Sequence, residues 1–67
     1  MADYTKNRVI NDAATAAALL IIAERDDEAE QFVSQIEAEW AKTKWDDTEL
    51  QTALKSALQG KVPDPWP

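Results

Sequence analysis

The apolar positions of this chain change their spacing along its length, and each spacing predicts a different packing role. In the stretch AATAAALLIIAERDD, residues 13–27, four large aliphatics, Leu19, Leu20, Ile21 and Ile22, follow one another inside an alanine-rich run that ends at a block of acid. At about 100° per residue these four side chains point all round a helix, so a single neighbouring layer cannot cover them. Alanine and leucine are strong helix formers and no Gly or Pro interrupts the run, which predicts a first helix ending near residue 25. Its start is expected after Asp3 or after Asn11, at about residue 4 or about residue 12.

From Glu28 the pattern narrows to one stripe. With Glu28 at 0°, Phe32 falls at about 40°, Ile36 at 80°, Ala29 at 100°, Trp40 at 120° and Val33 at 140° on a helical wheel. Glu28 and Glu39 edge one side of this stripe, at about 0° and 20°, while Glu37 and Glu30 edge the other, at about 180° and 200°. Asp27 and Glu30 have the spacing of a capping box, so a second helix is expected over 28–43. Leu50, Ala53, Leu54, Ala57 and Leu58 repeat the helical stripe a third time, predicting a helix over 47–59. Its start carries two devices, a capping box from Asp46 to Glu49 and a hydrophobic staple from Trp45 to Leu50. Gly60 supplies the left-handed residue that ends it.

No segment alternates with period two, so the fold class is all-α: a single domain over 1–67, built as a small three-helix bundle with short connections. The segment Lys61-Val62-Pro63-Asp64-Pro65-Trp66-Pro67 cannot continue a helix and predicts an extended Pro/Trp C-terminal tail.

Composition sharpens this picture. A chain of 67 residues has little margin of burial over conformational entropy, and without cysteine or histidine neither a disulfide nor a thiolate or imidazole metal site can staple it. Close helix packing, self-association or a partner must serve. The longest uncharged apolar run, residues 13–23, is far below the roughly 20 residues of a spanning helix, so no membrane insertion is expected. The acids following that run do not resemble a signal-peptide cleavage site, and a cytoplasmic location is expected.

Charge is the most uneven property. The formal net charge is −6, and all of it falls on residues 24–39, where Glu24, Asp26, Asp27, Glu28, Glu30, Glu37 and Glu39 face only Arg25. Long-range electrostatic steering should act there. Direct nucleic-acid binding is disfavoured, because phosphate contact needs clustered Lys and Arg. Lys42-Thr43-Lys44-Trp45 is the single basic spot beside an aromatic, and Lys42 is expected to serve the last carbonyls of the second helix.

Catalytic chemistry has little inventory. The usual general base and the strongest nucleophile are absent, Ser34 and Ser56 fall within helices without an evident activating base, and the adjacent acids Asp26/Asp27 and Asp46/Asp47 are explained by helix starts. The acidic block lacks the loop spacing of a calcium site, so neither a metal nor another cofactor is expected. Trp40 and Trp45 are expected in the core or the staple. Trp66, between two prolines, costs little to order and could either fold back over the third helix or anchor in another chain.

The function these residues predict is binding without catalysis. The chain is expected to be an acidic protein-binding module, a small inhibitor or regulator of the kind encoded by phages and mobile elements, whose partner presents a basic surface. Glu28, Glu30, Glu37, Glu39 and Trp66 are the expected partner-binding residues. Leu19, Leu20, Ile21 and Ile22 are the expected self-association surface of a homodimer. A structural or accessory subunit of an oligomeric assembly is the alternative, and a nucleic-acid mimic lying in a basic groove is a second one.

Overall fold

A computed structural model describes the backbone of residues 2–64 and the side chains of residues 6–64. Three helices account for the regular structure there: α1 (Ala2–Ile22), α2 (Asp26–Trp40) and α3 (Thr48–Ala57). The all-α three-helix bundle is therefore as the spacing predicts, and no described helix is long and apolar enough to cross a membrane.

The first helix is continuous from Ala2, which settles its start, but it stops at Ile22, before the expected Arg25. The stop is a backbone device. Arg25 N donates to Leu20 O at 2.9 Å and Glu24 N to Ile21 O at 3.0 Å, the paired bonds of a Schellman turn, with Glu24 in the left-handed region at φ 63°. Sequence reasoning looks for glycine at such a position, and a glutamate conceals it.

That turn also decides how α2 begins. Arg25 is the last non-helical residue, so Asp26 and Asp27 both lie inside the first turn and no side chain caps the start. The expected capping box from Asp27 to Glu30 does not form. Asp26, Asp27 and Glu28 instead place negative charge beside the free N–H groups, which favours the helix through its dipole. The far end is shorter than the expected Thr43, because the Thr43 hydroxyl donates to Trp40 O at 2.6 Å and Thr43 N donates to the same oxygen at 2.9 Å.

The third helix keeps more of its predicted devices. Asp46 Oδ1 accepts from Thr48 N at 3.2 Å and from Thr48 Oγ1 at 2.9 Å, so Asp46 does satisfy a free donor, although Asp47 holds the N-cap position and the reciprocal box with Glu49 is replaced by this turn. Glu49 faces α1, 3.8 Å from Lys6. Gly60 lies at φ 80° and closes the helix with the same pair of bonds seen after α1, from Lys61 N to Ser56 O and from Gly60 N to Ala57 O.

Packing centres on α1. Its buried face is Ile10 followed by Ala13, Ala14, Ala17 and Ala18, four small side chains that let α2 and α3 approach closely. Lys6 beside Glu49, and Ile21 Cγ2 within 3.7 Å of where a Cβ on Gly60 would sit, show α1 and α3 running parallel, with α2 returning between them in sequence. From the other helices Ala29, Val33 and Trp40, then Leu50, Leu54 and Ala57, complete the core, with no polar or charged residue buried among the described ones. Contacts between α2 and α3 are sparse by comparison, so the bundle is flattened, 35 × 26 × 14 Å.

Candidate interaction surface

The four predicted glutamates are all exposed, on the two flanks of α2 that the wheel assigned. Their surroundings differ. Phe32 and Ile36 are half-buried against the core on the flank of Glu28 and Glu39. There Glu28 lies 3.5 Å from Arg25 and Glu39 lies 3.2 Å from Lys42. Lys42 thus pairs with a side chain instead of the last carbonyls. On the opposite flank Glu37 turns toward α3, where its Oε2 accepts from Gln51 Nε2 at 2.6 Å. Glu30 lines a shallow polar depression with Asp27, Gln31, Ser34 and Gln35 on the outer face. The glutamates therefore edge two different surfaces, and exposed pairs such as Arg25–Glu28 add little stability.

The predicted self-association residues divide in the same way. Leu20 and Ile21 are half-buried, while Leu19 and Ile22 are 53% and 57% exposed, the least covered of the large apolar side chains described. Two flanking helices cannot enclose four consecutive aliphatics, as the helical period requires. The exposed acids Glu24, Asp26, Asp27 and Glu28 follow directly after Ile22.

A third feature is visible only in three dimensions. Trp40 and Trp45 pack with ring centroids 5.0 Å apart and planes inclined at 51°, the first buried and the second half-buried. Trp45 N donates to Thr43 Oγ1 at 3.2 Å, which folds the connection back on itself. The two rings border an open cleft of about 310 Å³ whose rim includes Glu37, Asp46 and Asp47. The hydrogen bond from the Thr48 hydroxyl, followed by that from Thr48 N, holds the Asp46 carboxyl below its ordinary range, so it is ionised at neutral pH. The Trp45-Asp46-Asp47 adjacency was the available sequence signal for this cleft, but capping accounted for both acids. Among the described residues no group of three or more acidic side chains is placed to hold a metal ion.

Beyond Gly60 the described part of the tail has no regular secondary structure, and Asn11 Nδ2 donates to Asp64 O at 2.6 Å, tying it to α1. A groove of about 560 Å³ separates this segment from α3, between Val62 and Pro63 on one side and Thr48, Thr52, Ala53 and Ser56 on the other. Trp66 lies outside the described residues. No protein-family model, curated protein or solved structure matches the chain.

Proposed function

We propose that this chain is a non-enzymatic protein-binding module of the cytoplasm, a small inhibitor or regulator of the phage and mobile-element type that masks a basic surface on a larger partner. The observation that carries this reading is the sequence of surfaces at the end of α1. The exposed apolar side chains Leu19 and Ile22 give way at once to the exposed acids Glu24, Asp26, Asp27 and Glu28. An apolar centre with a charged rim is the anatomy of a protein interface, and rim carboxylates speed encounter with a basic partner. Glu28, Glu30, Glu37 and Glu39 extend that rim along both flanks of α2, and Trp66 is a further partner-binding candidate.

The test is association kinetics with a captured partner. Joint Glu→Gln replacement at positions 28, 30, 37 and 39 should leave the fold intact and slow association, with the difference shrinking as salt approaches roughly 1 M, where the screening length falls to about 3 Å. Unchanged association at every salt concentration would falsify the steering role.

The exposure of Leu19 and Ile22 also favours a second reading, a homodimer joined through α1, in which the same apolar surface cements an assembly. Sedimentation equilibrium at micromolar concentration distinguishes the two. A dimer dispersed by Ile22→Glu supports the second reading, and a strict monomer assigns the surface to a foreign partner.

A further inference from the structure

We propose that the groove between α3 and the segment 61–64 is the seat of this chain's own Trp66 side chain, which closes over α3 as an intramolecular strap. Such a seat belongs to the free chain and does not depend on the protein-binding reading.

The course of the tail brings Trp66 to this groove. Lys6 lies beside Glu49 at one end of the α1–α3 pair, and Ile21 lies beside Gly60 at the other. Asn11, which holds Asp64 O at 2.6 Å, sits between these levels, about 15 Å of helix from Ile21. The chain after Gly60 therefore turns back toward the start of α3. Asp64 also borders the groove, so the last described residue is pinned to α1 at the groove's lip. Trp66 follows two residues on, within about 7 Å of backbone, a reach comparable with the helix length from Asn11 back to Lys6.

Proline keeps the chain on that course. Val62, Asp64 and Trp66 each precede a proline, and the residue before a proline is disfavoured from helical geometry, so the segment is biased against coiling away from α3. The same restriction lowers the entropy lost when the ring is ordered.

Lining chemistry selects an indole. Ala53, Val62 and Pro63 give the groove an apolar body, and Val62 is 49% exposed. Thr48, Glu49 and Thr52 supply hydroxyl and carboxylate oxygens at the end toward which the tail runs. A tryptophan side chain has the same division, a large apolar ring system with one N–H that needs an acceptor when covered. At about 560 Å³ the groove lies within the range of sites that hold small organic groups, ample for one ring.

Connectivity favours this ring over one from elsewhere. A side chain tethered two residues from the groove's lip is present at an effective concentration on the order of millimolar, whereas a second copy or a separate peptide must supply its own. Seating it also gives a small chain without disulfides an additional tie across α3. A partner that takes Trp66 must draw it from this seat.

The experiment is nuclear Overhauser spectroscopy on the full chain, labelled with ¹³C and ¹⁵N. The expected result is a set of cross-peaks from the Trp66 ring protons to the Ala53 and Val62 methyls, with an upfield displacement of those methyls that disappears in Trp66→Ala. That variant should keep the amide spectrum of the three helices and raise the unfolding equilibrium constant about tenfold in chemical denaturation, through loss of a partly covered ring. The proposal is overturned if the Trp66 ring shows no cross-peak to Ala53 or Val62, or if it contacts Leu19 or Ile22 instead. It is equally overturned if the cross-peaks to Ala53 appear only between differently labelled chains, which would make the occupant a second copy.

Discussion

The two corners of this bundle are built by opposite means. Between α1 and α2 the chain turns on backbone bonds alone, from Arg25 N to Leu20 O and from Glu24 N to Ile21 O, with a glutamate in a left-handed conformation and no side chain capping the next helix. Between α2 and α3 side chains do the turning: Thr43 takes the carbonyl of Trp40, Trp45 N is held by the Thr43 hydroxyl, Asp46 receives Thr48, and two indoles pack against each other. The first corner is surrounded by exposed acid, whereas the second holds the largest side chains of the core. A side-chain device leaves its mark in the residue types, and a backbone device need not.

The largest effect should come from the second corner. Trp40→Ala removes a buried ring and should cost about 3–5 kcal/mol, while Trp45→Ala, at a half-buried position, should cost about 2 kcal/mol, both read from chemical denaturation. A Trp45→Ala variant as stable as the parent would show that the ring serves binding alone.

At the first corner the expected change has the opposite sign. Glu24→Gly relieves a left-handed backbone at φ 63° and should stabilise the fold by up to about 1 kcal/mol, read as a higher denaturation midpoint, once the greater freedom of glycine in the unfolded chain is offset. Loss of stability there would mean that the glutamate side chain contributes something the backbone account omits.

The aspartates sharpen the comparison further. Asp46→Ala should lower the melting temperature at neutral pH, because its carboxylate receives both Thr48 donors. Its folded-state pKa is lowered, chiefly by the Thr48 side-chain bond, so its stabilisation is complete above the unfolded value near about pH 4 and disappears as pH falls through the lower folded value. The gap between parent and variant should therefore be constant above about pH 5 and close in stronger acid. Asp27→Ala, which loses a dipole contact but no capping bond, should lower the melting temperature at neutral pH by less than Asp46→Ala does. Equal effects at the two positions would erase the distinction between the corners.

Much of the candidate surface was legible before folding. The flanking positions of Glu28, Glu30, Glu37 and Glu39 follow from the helical period, and so does the incomplete cover of Leu19 to Ile22, since four consecutive residues must span a helix's circumference. The partners of those groups were not legible. That Glu37 meets Gln51, or that the acids beside Trp45 rim a cleft, depends on how α2 and α3 are set against each other.

The sequence by itself determined the three helices, the buried stripes of α2 and α3 apart from the exposed Leu58, the stop at Gly60 and the concentration of charge on residues 24–39, because periodicity, glycine's tolerance of positive φ and fixed side-chain charge are local properties. Tertiary structure decided the rest. The end of α1 at Ile22, the uncapped start of α2 and the left-handed Glu24 follow from where the chain must turn so that Val33 and Trp40 join the core built on the alanine face of α1. A packed core can impose a conformation that the residue would not choose alone, since burial of a whole helix face outweighs about 1–2 kcal/mol of backbone strain at one position.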